Sequence, residues 1–489
     1  MILDKHLKQP HIQPHQTSVF NLPIIISLLF WFSFLGNLSY LAYQFPNMPK
    51  WDYQNLIRIN GFTLVIWTTV TFFSAILSSY ASNYLKGFKY KNRFMILCFG
   101  FTISVMLFIA SNHIALLLAS WFSMGVFMSK LIGVNASWGE AKEASKFAQK
   151  YFLAGSIFLS AGVLLLAFQS SSHTLTEINA KVHLIPQHMV LIAAVLIIIA
   201  AIIQSAIYPF HRWLLSAMTA PTPASALMHA GFVNGSGILL SLFATTLFAS
   251  NTLNILFIVG GVTAIIAQFA KLIQVNAKQK LGCSTIAQMG FMIMQCGLGF
   301  FNAAVVHLIL HGFYKAYLFL SAGENIGYQA PENAEKIKIT PFQALVVLIY
   351  GLLGAFLFMQ LTGKGIAINS SIFLTLIVAI TVGQITYNIV KQKSLSPMQK
   401  AIVPPVLFFI GIGLYALVYK AVSLCMADTP MTDVALPLSG VQIFVGIIFL
   451  IGFFIMKLGL YQKIPWLYVK LLNDSQPAKN TVLMYKNHL

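Results

Sequence analysis

The residues with the clearest capacity for chemistry are three ionisable side chains that recur with helical spacing. His307, His311 and Lys315 recur at four-residue intervals in the apolar run HLILHGFYKAYLFL, and such intervals place side chains on one face of a helix. Histidine titrates near neutral pH, and desolvation lowers the pKa of lysine, so the row could pass protons through the middle of a membrane. The alternatives are hydrogen-bonded packing residues, or a metal held by the two histidines, for which no third ligand is found beyond the distant His229.

A second group of polar residues surrounds His229 in the stretch QSAIYPFHRWLLSAMTAPTPASALMHAGFVNGS, residues 204–236. A lone histidine in an apolar helix is more often a packing residue than a proton carrier. The polar neighbours Ser225 and Asn234 strengthen the case for His229. We therefore count His229 among the candidate ion-conducting residues, with Ser225, Asn234 and Gln204 as secondary candidates.

Five positions, Lys315 among them, carry lysine within or beside apolar runs. They are Lys130, Lys315, Lys364, Lys420 and Lys457. An ionisable group inside a membrane span is a functional candidate by default, whereas lysines near helix ends often extend toward the interface, which is the alternative for Lys420 and Lys457. Lys364 joins the candidate conducting residues and Lys130 is a secondary candidate. All eleven acidic residues lie at or outside the predicted helix ends, and no redox, hydrolytic or metal-binding motif is found.

The elements that position these residues are predicted to be membrane-spanning helices. The chain has 489 residues, of which 58% are hydrophobic and 8% charged, and its mean hydropathy is +0.79. Runs of about 20 apolar residues, the length of a helix that crosses a bilayer, predict about fourteen transmembrane helices between residues 18 and 461. We predict an all-α polytopic membrane protein with a cytoplasmic segment at 1–17 and a cytoplasmic tail at 462–489.

The distribution of basic residues predicts the orientation of the chain. A net charge of +19 would suit nucleic acid only if the basic residues shared one folded face, and they instead lie between the apolar runs. Cytoplasmic loops of membrane proteins are enriched in Lys and Arg. Nearly all basic residues of the predicted loops and termini fall on one side of the predicted spans, whereas the opposite loops hold only Lys50, Arg58 and Lys181. We predict cytoplasmic N- and C-termini and no nucleic-acid partner.

Two predicted helices carry signals of interruption. The sixth apolar run contains Gln204 and reaches Tyr208 and Pro209, and the eleventh ends in Leu361-Thr362-Gly363-Lys364-Gly365. Proline and glycine favour a break or an early end of a helix. Corresponding breaks in two halves of a chain are typical of transporter sites, and a plain loop at each place is the alternative.

Three longer stretches carry a resemblance to a known family. YPFHRWLLSAMTAPTPASALMHA, KQKLGCSTIAQMGFM and HLILHGFYKAYLFLSAG closely resemble motifs of the proton-conducting membrane subunits shared by respiratory complex I and the multi-subunit Na+/H+ antiporters. The resemblance implies an antiporter-like fold with inverted repeats and two broken helices. By position, it gives His229 the role of the family's central histidine, makes His307, His311 and Lys315 its His/Lys row, and makes Lys364 the lysine of the second broken helix.

Within that family, the chain looks most like the DabB membrane subunits of inorganic-carbon-accumulating complexes, on the basis of the stretches GFMIMQCGLGF and HRWLLSAM. The resemblance implies a bacterial inner-membrane protein and a large cytoplasmic partner of the DabA type, which resembles a zinc-dependent β-carbonic anhydrase. Zinc is then expected in the partner, with no cofactor in this chain. It further implies that H+ or Na+ movement drives accumulation of CO2 or bicarbonate.

Two departures from the respiratory subunits leave other functions open. Phe122 stands where they have glutamate, and Gln204 stands where they have lysine, so the Glu/Lys pair of the first half-channel is missing. The alternatives are a proton-translocating subunit of a complex I-like enzyme or cation antiporter, and a non-conducting membrane anchor for a soluble enzyme. Partner contact is expected at the basic segments 86–93 and 140–150 and at the tail.

Overall fold

The computed structural model describes residues 21–322, 341–390, 392, 394–457 and 463–482 of the chain. The predicted segment 1–17 lies outside these residues. The first half of the chain contains α1 (Leu22–Gln44), α2 (Gly61–Tyr84), α3 (Lys91–Ala110), α4 (Ile114–Ile132), α5 (Gly139–Ser170), α6 (Leu175–Lys181), α7 (Gln187–Gln204), α8 (Arg212–Ser216), α9 (Thr222–Ala230), α10 (Gly235–Leu242) and α11 (Ala244–Ala249). The second half contains α12 (Leu253–Ile273), α13 (Ala277–Gly297), α14 (Phe301–Leu320), α15 (Pro341–Thr362), α16 (Ile372–Val390), α17 (Pro397–Cys425), α18 (Gly440–Lys457) and α19 (Pro465–Asp474).

The predicted all-α membrane fold is confirmed. Twelve helices within the described residues are long and apolar enough to cross a membrane, and α9 and α10 count among them as one span. Each of the fourteen apolar runs contains a helix, but α13 and α18 are not among the twelve, because α13 is rich in polar residues and α18 contributes a shorter apolar helix, Gly440–Gly452. The number fourteen therefore stays a prediction.

Two local features differ from the sequence-based expectation. The stretch EAKEASKFAQKYF belongs to α5, which begins at Gly139 and runs for 32 residues; Glu140 in its first turn suits the positive end of the helix dipole. The second feature is a small antiparallel hairpin of β1 (Trp51–Tyr53) and β2 (Ile57–Ile59) between α1 and α2. Its three-residue strands lie in a loop, where the apolar pattern gave no signal.

The loops meet in two groups at the two ends of the helix bundle. At one end, Arg58 is paired with Asp428, 3.2 Å apart, and Phe300 forms a backbone bridge with Asp433. At the other end, the Lys278 Nζ donates to the Ala220 carbonyl at 2.8 Å. This second end carries residues 86–93, 142–150, 212 and 271–280, and we call it the basic face. The end with Arg58 and Asp433 is the opposite face.

The helix that was predicted to be interrupted near Gln204 does end there. The chain turns over residues 205–211, where Ala206 has the left-handed φ of +54°, and α8 then begins at Arg212. The indole Nε1 of Trp213 donates to the Ile203 carbonyl at 2.9 Å, which satisfies a carbonyl at the end of α7. The second predicted interruption is an early end of α15 at Thr362, followed by Gly363 and Gly365 with φ of +71° and +84°.

A third interruption, between α9 and α10, was not predicted. Residues Phe232–Asn234 form a single 3-10 turn. Gly231, just before this turn, packs closely on the backbone of α9, because a Cβ at this position would lie 2.9 Å from the Leu227 carbonyl oxygen. The Asn234 amide donates to the Ala230 carbonyl at 2.8 Å, which satisfies the end of α9. The break begins two residues after His229, so it sits directly beside a candidate conducting residue.

Candidate functional site

The predicted row on α14 is present and follows the length of the helix. The rings of His307 and His311 are stacked with their centroids 5.9 Å apart, and Lys315 lies one turn further along. At a rise of about 1.5 Å per residue, the row begins about 9 Å from the opposite-face end of α14 at Phe301. The row therefore occupies the middle part of α14, with His307 nearer the opposite face and Lys315 nearer the basic face.

The histidine side chains of this row are buried without the usual hydrogen bonds. His311 is buried, and neither of its ring nitrogens has a partner within the described part of the chain; the same holds for Nε2 of His307. Buried polar groups are normally hydrogen-bonded, so these ring nitrogens have hydrogen-bonding capacity that the described residues do not fill.

His229 lies against the same helix from the side. Its ring stacks on Phe319 with centroids 4.3 Å apart and an interplanar angle of 14°, it is fully buried, and both its nitrogens lack partners among the described residues. Helices α9 and α14 approach closely at Gly312, where a Cβ would lie 3.2 Å from the Ala230 carbonyl oxygen. His229, His311 and Lys315 are thus within electrostatic range of one another.

Lys315 is fully buried, and its ammonium group has a specific partner. The Nζ donates to the backbone carbonyl of Leu281 on α13 at 3.1 Å, and it lies 5.8 Å from the centre of the Tyr314 ring. A buried lysine with one neutral acceptor is poorly compensated as a cation.

Asn234 connects the α9–α10 break to the histidine row. Besides its bond to Ala230, the side-chain amide donates to the Leu308 carbonyl on α14 at 3.3 Å, and its Oδ1 is buried without a partner in the described residues. Leu308 directly follows His307 in sequence. The secondary candidate Asn234 is therefore held beside the row, with one free acceptor.

Lys364 lies apart from the histidines, at the opposite face. Its Nζ is 2.5 Å from Oδ1 of Asp433 and 4.6 Å from the centre of the Phe300 ring. The Tyr419 hydroxyl is 3.3 Å from both Asp433 oxygens and accepts from the Asn302 amide at 3.1 Å. Because Phe300 immediately precedes α14, the pair lies at the end of the helix that carries the row. The lysine is thus placed at one mouth of the row.

The first half of the chain lacks such groups at the matching positions. Gln204 is buried, and its amide donates to the Phe232 carbonyl at 3.3 Å, so it supports the α9–α10 break. Phe122 is 46% exposed on α4. Ser205 also binds this region: its hydroxyl donates to the Val233 carbonyl at 2.5 Å and contacts Ser236. This cluster is polar, but it contains no group that exchanges protons near neutral pH.

Three of the other candidates are not part of the row. Lys130 is exposed in the last turn of α4, and Lys420 is exposed on α17, as expected of lysines that extend toward an interface. Ser225 is buried, and its hydroxyl donates to the Ala220 carbonyl at 3.3 Å, within the loop that leads into α9. These residues are placed by helix ends and local bonds.

The groups that the sequence did not reveal are Asp433, Tyr419 and Asn302. Asp433 belongs to the acidic loop between α17 and α18, and its backbone bridge with Phe300 places it at the opposite face. Its position next to Lys364 depends on contacts 69 residues apart. Within the described residues, no group of three His, Cys, Asp or Glu side chains could hold a metal ion.

Comparison with known proteins identifies the class that this arrangement defines. The family model described as "NADH:quinone oxidoreductase/Mrp antiporter, TM" matches residues 111–389, which include α9, α14 and Lys364. The chain belongs to this family of antiporter-like membrane subunits.

Individual relatives fall into several kinds of complex. The chain is 30% identical over 403 residues to the probable inorganic carbon transporter subunit DabB2 of Halothiobacillus neapolitanus, covering 81% of this chain and 68% of the relative. It is 34% identical to the probable inorganic carbon transporter subunit DabB of Bacillus anthracis, with 61% of this chain and 59% of the relative covered. It is 31% identical to NADH-quinone oxidoreductase subunit L of Escherichia coli, with 58% and 48% covered. The predicted resemblance to DabB subunits is confirmed.

Solved structures support the fold. The Mrp complex of Dietzia sp. DQ12-45-1b matches with a TM-score of 0.55 at 19% identity, covering 95% of this chain and 50% of that one. The archaeal membrane-bound sulfane sulfur reductase matches with a TM-score of 0.56 at 19% identity, covering 93% and 92%. The sequence relatives are named as subunits, and the two solved structures are membrane complexes.

Proposed function

We propose that this chain is the membrane subunit of an energy-coupled inorganic carbon pump, in which H+ or Na+ moves through the row on α14. The single observation that carries the proposal is that His307 and His311 lie on one face of the membrane-crossing helix α14, while the Lys364–Asp433 pair lies beside the opposite-face end of the same helix. The similarity to probable inorganic carbon transporter subunits supports inorganic carbon as the transported substrate.

The ion crosses between the two faces by passing from one group of the row to the next. Lys315 and His229 serve the end nearer the basic face, and Lys364 with Asp433 serves the opposite face. Neutral imidazoles accept and release protons without a large change in the surrounding packing. Movement of one elementary charge across the membrane releases about 2.3 kcal/mol per 100 mV, which is enough to bias a reversible hydration reaction.

The hydration reaction takes place in a cytoplasmic DabA-like partner that carries zinc. The basic face is cytoplasmic in this proposal, in line with the excess of Lys and Arg there, and it binds the partner. Segments 86–93 and 142–150 are available for this contact. Passage of the ion at the basic face makes CO2 hydration in the partner one-way, so that bicarbonate accumulates inside the cell.

The test is reconstitution of the chain with its partner in vesicles under an imposed proton or sodium gradient. Carbon accumulation is measured with and without an ionophore that collapses the gradient, and assembly is checked by co-purification. Accumulation that is indifferent to the ionophore contradicts the proposal. The variant Lys315→Met separates conduction from anchoring: activity retained with intact assembly identifies the chain as an anchor, and lost activity with intact assembly supports conduction.

A further inference from the structure

A cavity of about 550 Å³ lies between α12, α13, α14, α16 and α18. Its polar lining comes from Gln268, Lys271, Gln288, Tyr314, Thr381 and Gln384. At about 30 Å³ per molecule, the space holds on the order of ten waters. Water stays in a cavity only where it finds two to four polar partners, and this lining provides them along a cleft between the helices that is open to the surface at Tyr314, which is 56% exposed.

The cavity reaches from the basic face to the middle of the bundle. Lys271 lies two residues before the end of α12 at Ile273, at the basic face. Gln288 lies eleven residues into α13, which is about 16 Å from the start of the helix at a rise of about 1.5 Å per residue. The lining therefore extends to about half the length of α13.

The inner part of the cavity borders the row on α14. Phe291 lines the cavity, and its ring meets the ring of His307 edge-on with centroids 5.2 Å apart. Tyr314 also lines it, and the Lys315 Nζ lies 5.8 Å from the centre of the Tyr314 ring. Single aromatic rings thus separate the cavity from His307 and from Lys315.

The charge of the lining distinguishes between the possible ions. No carboxylate is found among the described residues that line the cavity, and its one ionisable basic group is Lys271 near the mouth. The amide and hydroxyl groups of the described lining offer only neutral ligands, without a carboxylate to compensate the charge of a dehydrated Na+. A chain of water molecules bound to these groups carries a proton without admitting a cation as a particle.

We propose that this cavity is the basic-face entrance to the row, through which protons that have crossed the membrane leave toward the cytoplasm, so that the second half of the chain alone provides the route that Phe122 and Gln204 no longer provide in the first half. The inference rests on the proposed function and deepens it, because it assigns H+ as the ion and Gln384, Gln288 and Lys271 as groups that hold the water chain.

Cysteine accessibility tests the entrance. Gln384→Cys places a thiol in the cavity, and Ile385→Cys places one on the next residue, which is exposed on the helix surface but does not line the cavity. The wild-type chain is the blank, because its four cysteines are buried. A membrane-impermeant methanethiosulfonate reagent is added from the basic-face side of oriented vesicles that contain the chain with its partner. We expect labelling of Gln384→Cys at least tenfold faster than of Ile385→Cys, followed by at least a tenfold loss of proton-driven carbon accumulation.

The outcomes separate this inference from the proposed function. If wild-type accumulation collapses with a protonophore but Gln384→Cys is not labelled, or is labelled without loss of activity, the cavity is not the entrance and the proposed function stands. If a sodium gradient alone drives wild-type accumulation, the assignment of H+ is wrong. If wild-type accumulation depends on neither gradient, the proposed function itself fails, whatever the labelling.

Discussion

Lys364 and Asp433 form an ion pair, Nζ to Oδ1 2.5 Å, in which the ammonium group also lies over the Phe300 ring. The pair joins the loop after α15 to the loop after α17 at the point where α14 begins. The lysine side chain is only 15% exposed, so its ammonium group depends on a contacting carboxylate to compensate its charge. Asp433 supplies that counter-charge beside the start of α14.

Removal of the carboxylate is expected to stop transport while the fold persists. For Asp433→Asn we predict a loss of ion-driven carbon accumulation of about tenfold or more, because the substitution leaves a partly buried ammonium group without its close counter-charge. Accumulation in reconstituted vesicles is the measurement. Glu177→Gln is the matched control, since it removes an exposed carboxylate from the same face. Recovery in the doubly exchanged Lys364→Asp/Asp433→Lys variant supports a role of the pair, and full activity of Asp433→Asn excludes it.

The histidine row gives a second prediction. His311→Gln retains a polar side chain of similar size but cannot be protonated near neutral pH, so we expect ion-driven accumulation to fall by about a hundredfold, within the range typical of a lost proton-transfer group. His188→Gln, at an exposed histidine near the start of α7, controls for the substitution itself and should leave transport unchanged. Co-purification of the partner must be equal in both variants. Equal transport in the two variants contradicts a conducting role for His311.

A third prediction concerns the packing that places α13 beside the row. Helices α12 and α13 touch through glycines: a Cβ at Gly260 would lie 2.5 Å from the Gly290 carbonyl oxygen and 2.6 Å from the Met294 nitrogen. Backbone atoms cannot yield as a flexible side chain can, so Gly260→Ala should destabilise the protein by about 1–3 kcal/mol, as overpacking does. The change is measured as a lower Tm in detergent. Gly411→Ala is the control, because no atom lies within 4 Å of a Cβ there, and its Tm should not fall.

The basic face supplies a prediction on pH. The C-terminal segment docks where Nε2 of His211 donates to the Asp474 carbonyl at 2.7 Å, while Nδ1 of His211 is buried and has no acceptor in the described residues. Burial lowers the pKa of His211, although the Asp474 contacts act in the other direction. When the C-terminal segment undocks, His211 loses this burial and its pKa returns toward the ordinary value of about 6.5. The undocked state therefore binds protons more readily. Docking is fully stable above that pH and weakens as the pH falls below it.

Hydrogen exchange of residues 465–482, corrected for intrinsic rates, measures this docking. Exchange in the wild-type chain should rise between pH 7.5 and pH 5.5, a range of about one unit on either side of the free histidine pKa. His211→Gln keeps a side-chain amide that can donate to the same carbonyl, and exchange of the segment should then be independent of pH over that range. A pH response that persists in His211→Gln assigns the effect to another group.

The sequence predicted the features that repeat with a simple period. Apolar runs of spanning length predicted the helices, and the four-residue spacing of His307, His311 and Lys315 predicted their common face. Gly231 gave no warning of the α9–α10 break, because glycine is tolerated within helices and the break depends on Asn234 and Gln204 bonding to nearby carbonyls. The extension of α5 to Gly139 was missed because its polar first turns lie outside the apolar run.

The partner of Lys364 could not be read from spacing. Asp433 is 69 residues away in a loop whose only sequence signal is its negative charge, and the choice among distant acids depends on how α14, α15 and α17 pack. The cavity with the polar lining is a similar case, since Gln268, Gln288 and Gln384 lie on three separate helices and only the packing brings them together.

The ion pair between Arg58 and Asp428 has a consequence for biosynthesis. The two residues are separated by 370 positions, and the Asn60 amide donates to the same carboxylate at 2.9 Å. During synthesis, the hairpin between α1 and α2 therefore emerges on the opposite face long before its counter-charge exists. The first spans must insert without it, and the end of the bundle closes only when the loop after α17 has been translated. A chain truncated before that loop would retain its helices in the membrane but would leave Arg58 without its carboxylate partner. An unpaired Arg58 would then distinguish the incomplete chain from the finished one.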